Sequence, residues 1–229
     1  MKPYVFINVA TSADGKIDTF ERRGAAISSA TDKARVECLR AGADAIMVGG
    51  RTLLAEDPKL TVKSAQLRAE RKAKGWSENP LKAGVVTNAQ IRLDSDFLNA
   101  GPARVVVFTT TQTSPQQIDA LKSKDIEVFV LGEKRVDLYQ TLETLAALGV
   151  KRLMVEGGST LNFELLRLGL VDELTAYVAP MIFGGHKAPT MAAGDGLTRS
   201  AAIPLKLIES QVLDEDGGVL LRYVLSKKK

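Results

Sequence analysis

The chain holds one cysteine, Cys38, and one histidine, His186, among its 229 residues. A lone cysteine excludes an internal disulfide framework. The two together fall short of the roughly three or four Cys/His ligands of a zinc centre, and of the His-x-Glu with Pro-Cys-x-x-Cys that a zinc deaminase needs. No metal is expected. His186 lies in the loop-like FGGHKAP, where it reads as a surface residue. Long apolar runs are missing too: no stretch approaches the ~18–20 residues that cross a bilayer. The N-terminal MKPYVFINVATSADG has a short apolar run carrying Asn8, which reads as a strand and loop, not a secretory leader. A cytoplasmic protein with no membrane partner is expected. Excess charge is also small. Of a formal +4, three charges are Lys227, Lys228 and Lys229 in a basic tail over 226–229. The balanced remainder gives little case for nucleic acid, though it suits anionic small molecules.

What is present is ordinary globular material, 45% hydrophobic and 25% charged, long enough for one α/β domain spanning 1–229. YVFINVA reads as a buried strand, and ATSADGK as a loop with Asp14-Gly15 as its turn. SSATDKARVECLRAGA reads as a capped helix with apolar spacing through Ala34, Val36 and Leu39. ADAIMVGG is a strand, and RTLLAEDP a brief helix stopped by Pro58. Residues 63–82, polar and rich in charge, read as an exposed excursion whose Arg68, Arg71, Lys72 and Lys74 form a solvated face. AGVVTN, ARVVVFTT, IEVFVL, KRLMVE and DELTAYVAP read as strands. Between them fall helices starting near Pro115, at Asp137 (with Gly149 as its stop) and at Ser159. LKLIESQVL and GVLLRYVL, joined through Asp216-Gly217-Gly218, form a terminal hairpin. Alternating strands and helices imply an α/β fold with a mostly parallel sheet; the hairpin makes that sheet mixed.

Two places share one design. IMVGGRTL and LMVEGGSTL each run from a strand through two glycines into a helix start. Glycine permits φ > 0 and close approach by a ligand. A helix N-terminus offers free N–H groups and partial positive charge, which attract phosphate. Arg51, Thr52, Ser159 and Thr160 add a cation and hydroxyls. Either turn can equally be a plain strand-to-helix connection. The chain has no G-x-G-x-x-G, which argues against a Rossmann site. Glu156 closes an apolar strand just before the second turn, at the carboxyl end of the sheet where ligands of open α/β sheets bind; the alternative is a solvated strand end.

TSADGK, GGRTLLAEDPKLTV, VEGGSTLN, GLVDELTAYVAP and IFGGHKAPT occur in an order and at separations that resemble the riboflavin-pathway pyrimidine reductases, from about Tyr4 to Tyr223. The resemblance implies a dihydrofolate reductase-like fold, a homodimer and NADPH as hydride donor. It puts Asn8 and Asp14 near the reacting groups and Ala10 against the cofactor. Thr52 and Glu56 match cofactor contacts, Glu56 standing where relatives usually have Asp. Arg40, Leu60 and Lys63 match substrate contacts, and Glu156 a substrate-binding carboxylate. Gly157, Gly158, Ser159, Thr160 and Leu161 fall in the pyrophosphate segment, which extends to Glu164. Arg51 is placed to meet a 2′-phosphate. The chain departs from the pattern at Thr87-Asn88-Ala89, where relatives often have a Val-Asp-Ser-like strand end. The activity implied is reduction of a 5-amino- or 2,5-diamino-6-ribosylamino-pyrimidine 5′-phosphate. The alternatives are a reductase of another substrate on the same fold and a catalytically silent nucleotide-binding module.

Overall fold

A computed structural model describes residues 2–225; the basic tail expected at 226–229 lies outside the described residues. The order is β1 Tyr4–Ser12, α1 Ala30–Ala41, β2 Ala45–Gly49, a π-helical turn Thr52–Glu56, α2 Ala65–Ala73, β3 Leu81–Val85, α3 Asp96–Asn99, β4 Val105–Thr109, α4 Pro115–Lys122, β5 Glu127–Val130, α5 Leu138–Ala147, β6 Arg152–Val155, α6 Ser159–Arg167, β7 Glu173–Ala179, a 3-10 turn Arg199–Ala201, β8 Leu205–Val212 and β9 Val219–Leu225. The chain gathers into two compact units. Among the described residues, one holds Lys2, Pro3 and Glu37–Met154; the other holds Tyr4–Val36 and residues 155–225.

In the first unit the strands run in the order β5-β4-β3-β2-β6. The pairs β2–β3, β3–β4 and β4–β5 are parallel. Parallel strands are covered on both faces, which is why they read as unbroken apolar runs; every residue of β2, β3 and β4 is buried. Helix starts are set by side-chain acceptors at the N-cap: Ser64, Ser95, Ser114 and Asp137 accept from Leu67, Leu98, Gln117 and Gln140.

The second unit runs β1-β7-β9-β8. β1 and β7 are parallel, with Asn8 opposite Thr175; β7–β9 and β8–β9 are antiparallel, which is the expected C-terminal hairpin. Its turn is pinned by Asp214, which accepts from Gly218 N at 2.8 Å and from the Tyr177 hydroxyl at 2.7 Å. The mixed, mostly parallel sheet architecture with flanking helices is therefore as expected.

Two readings need correction. The 63–82 segment is no plain excursion, because Arg71, Asn79 and Lys82 are buried. Arg71 leaves the solvated face and donates to the Ser77, Ala41 and Ala43 carbonyls, each at 2.8 Å, with Trp76 over its guanidinium. Asn79 accepts from Val62 N at 2.8 Å. Lys82 donates to the Phe97 and Ala100 carbonyls at 2.7 and 2.8 Å. Buried charge survives when it finds such partners. The second correction is in α1, where the apolar positions Ala34, Val36 and Leu39 are exposed or half-buried and the buried residue is Asp32.

Candidate active site

In the second unit Glu156, which follows the last residue of β6, is half-buried, and the chain turns through Gly157 and Gly158 into α6. Gly157 has φ +102°, a conformation open to glycine. A side chain there would meet nothing nearer than Asn162 Nδ2 at 3.9 Å, so the turn has room beside it. The Gly157–Gly158 peptide is cis. Gly158 is the N-cap and no side chain caps the helix, which leaves its first N–H groups to other partners. Ser159 and Leu161 are buried and Thr160 is exposed. Asn162 was not singled out from the sequence. It is buried, donates to the Met191 carbonyl at 2.9 Å, and has an Oδ1 with no partner. An orphaned buried acceptor costs stability, and nothing in the motif TLNFE reveals it.

Asn8 is buried on β1, and its Oδ1 accepts from Arg35 Nη2 at 2.7 Å. Ala10, two residues on, packs against a cluster of Ile27, Tyr177, Ala179 and Leu220. Asp14 is exposed. Its carboxylate accepts from the Ser12 hydroxyl at 2.6 Å and from Gly184 N and Phe183 N at 2.8 and 3.2 Å. The Ser12 bond, with help from those amides, holds it below the usual carboxylate range against the opposing effect of burial. Asp14 thus ties the 12–16 loop to residues 183–184. His186 is exposed, as expected of a surface residue.

In the first unit the Gly49-Gly50 turn is built differently. Gly50 lies against Val86, whose Cγ2 would sit 3.0 Å from an added Cβ. The helix that follows is a five-residue π turn, too short to present an α-helical N-terminus. Arg51 and Glu56 are exposed and Thr52 is half-buried. Asp57, at φ +46°, caps the start of α3 by accepting from Asp96 N and Phe97 N, both at 2.9 Å. Leu60, expected at the substrate, is 1% exposed with φ +48°. Arg40 and Lys63 meet through Glu37, a residue the sequence reading passed over. Arg40 lies 3.5 Å from Glu37 Oε1 and donates to the Thr61 carbonyl at 3.2 Å, while Lys63 N donates to Glu37 Oε2 at 2.5 Å. The i,i+3 spacing of Glu37 and Arg40 on α1 was the available signal. The Lys63 side chain is exposed. Thr87-Asn88-Ala89 is held by hydroxyls: Thr110 donates to the Thr87 carbonyl at 2.7 Å and Ala89 N to Thr113 at 2.8 Å.

The same fold occurs in a pyrimidine reductase-like protein from Corynebacterium diphtheriae, with a TM-score of 0.83 at 23% identity over 99% of this chain and 93% of that one. A shared α/β fold is thereby defined. Residues 3–219 match the RibD C-terminal domain model, and the chain belongs to that family. It is 44% identical over 203 residues to the 2,5-diamino-6-ribosylamino-4(3H)-pyrimidinone 5′-phosphate reductase of Archaeoglobus fulgidus, covering 89% of this chain and 92% of that protein. The protein of the same description from Methanothermobacter thermautotrophicus is 42% identical over 217 residues, covering 94% and 96%.

Proposed function

We propose that the chain is an NADPH-dependent reductase that converts a ribosylamino-pyrimidine 5′-phosphate to the ribitylamino compound in riboflavin biosynthesis. The observation that carries this reading is the end-to-end likeness to reductases named for that substrate, at 42–44% identity. The open Gly157 turn, the uncapped start of α6 and the partnerless Asn162 Oδ1 suit a dinucleotide. Gly157 to Leu161 would lie along its pyrophosphate, with Ala10, Thr52 and Glu56 as further contacts. Arg51, exposed and permanently charged, would meet the 2′-phosphate that distinguishes NADPH from NADH.

NADPH, when bound, supplies the hydride. The chain supplies orientation and charge placement. Arg40 and Lys63 anchor the 5′-phosphate, with Leu60 between them in sequence and Glu37 setting their spacing. Glu156 accepts hydrogen bonds from the amino groups of the pyrimidine. Asn8 orients the opened sugar, whose C1′ is an imine carbon before reduction and a secondary amine carbon after it, the proton being drawn from solvent. Asp14 holds the neighbouring loop closed on residues 183–184.

We also read the chain as a cytoplasmic homodimer forming a single functional domain. β8, at the end of its strand order, exposes Leu205, Leu207, Ile208 and Val212 at 41–71%; an apolar edge of this kind is ordinarily covered. Light scattering on the purified protein tests this, and a monomeric mass removes it. The activity is tested by following NADPH absorbance with the diamino and the deaminated substrate side by side. Turnover of either supports the reading and identifies the substrate; turnover of neither refutes it.

A further inference from the structure

Asn8, Arg35 and Asp32 form a chain of hydrogen bonds that the reading above leaves unused. Arg35 Nη2 donates to Asn8 Oδ1 at 2.7 Å, and Arg35 Nε and Nη2 donate to Asp32 Oδ1 at 2.9 and 2.7 Å. Asp32 is fully buried and Asn8 is 8% exposed. A guanidinium has donors only, so the Asn8 atom facing it is the oxygen, and chemistry settles which way the amide points. Asn8 Nδ2 faces elsewhere and donates to no acceptor among the described residues.

This arrangement is costly for a merely structural one. Asp32 Oδ2 is buried without a partner, and a buried ion pair of this kind is generally matched in stability by apolar side chains of similar size. What the pair adds is direction. Held from one side by Asp32, Arg35 can present its Nη2 in one orientation, and Asn8 must answer with its oxygen.

We infer that Asp32 and Arg35 are positioning residues that fix the Asn8 amide with its NH2 offered to the substrate, so that the group recognised there is an oxygen acceptor, a carbonyl or hydroxyl. The inference rests on the reductase reading for the identity of the ligand, but not for the relay itself.

A double-mutant cycle tests it. Arg35→Met and Asn8→Ala should each lower kcat/KM for the ribosylamino-pyrimidine phosphate by about 10- to 100-fold. In the Asn8→Ala background, Arg35→Met should change it by less than about 2-fold, because Arg35 acts through Asn8. An equal loss in both backgrounds overturns the relay. If Arg35→Met does not fold, Arg35→Lys, which keeps the charge beside Asp32 but lacks the fork, enters the same cycle. Asn8→Asp keeps an oxygen toward Arg35 and removes the NH2. It should lose as much as Asn8→Ala, and full activity in it overturns the donor assignment. A second readout needs no turnover: the side-chain amide of Asn8, followed by NMR in the ligand-free protein, should be as rigid as the backbone in wild type and mobile in Arg35→Met. An inactive wild type showing that change defeats the reductase reading and leaves the relay standing; an active wild type whose Asn8 amide is indifferent to Arg35 defeats the relay.

Discussion

The two glycine turns read almost alike in the sequence, IMVGGRTL and LMVEGGSTL, and fold into different things. The second opens: Gly157 takes φ +102° with space beside it, and a nine-residue helix follows with no side-chain cap. The first closes: Gly50 packs on Val86 and leads into a five-residue π turn. Anion binding needs accessible N–H groups at the head of a real helix, so on the proposed function the second turn is the one suited to be a cradle, and the first would contribute through the charge of Arg51. A Gly-Gly pair therefore means different things in the two places: close approach to Val86 in one and open space beside the backbone in the other.

The largest effect that separates them is a paired substitution. Gly157→Ala should weaken NADPH binding by about 100-fold or more and cost roughly 1–3 kcal/mol of stability through its positive φ. Gly50→Ala should cost about 1–3 kcal/mol by crowding Val86 while leaving NADPH affinity unchanged. Calorimetric titration and thermal unfolding of both variants decide the matter. Equal losses of affinity would make the two turns equivalent after all.

A smaller effect concerns the cations of the first unit. If Lys63 holds the 5′-phosphate as proposed, Lys63→Ala should remove one charge-assisted contact, about 1.5–3 kcal/mol, or roughly 10- to 150-fold in substrate KM. NADPH affinity should not move, and a parallel fall would show that Lys63 acts through the general field. At the second turn, Glu156→Gln replaces an acceptor with a donor and should lower kcat/KM by a mismatch of about 1–3 kcal/mol with the unfolding temperature unaltered. Normal kinetics would return Glu156 to a solvated strand end.

Local features were legible where local physics decides them. Asp137 caps α5 and Gly149 follows it at φ +90°, both visible as sequence signals. The terminal hairpin was announced by two apolar runs around Asp216-Gly217-Gly218. Charged residues with tertiary partners were not legible. Arg71 and Lys82 sit in a polar segment that reads as solvated, and they are buried because carbonyls supplied by distant residues meet them. At the site, the glycines and Glu156 stood out by position. Glu37, Arg35 and Asn162 did not, since each matters through a partner far away in sequence or through an empty acceptor.

Lys82 gives a check on that account through stability alone. Burial pushes its ammonium down to about 8, with Asp96 and Asp57 opposing. Its folded value lies below the unfolded one, so between about pH 8 and pH 10.5 the unfolded chain binds more protons and stability rises with pH. Urea unfolding should show the wild type gaining on Lys82→Met by up to about 3 kcal/mol over that window. A flat or opposite difference would mean that Lys82 is solvated.

The central claim, hydride transfer to the sugar carbon, is tested most directly by turnover with NADPH carrying deuterium at the transferable position of the nicotinamide. The account predicts a ribitylamino product with one deuterium at C1′. Product labelled on the pyrimidine ring, or formed without label, would contradict it.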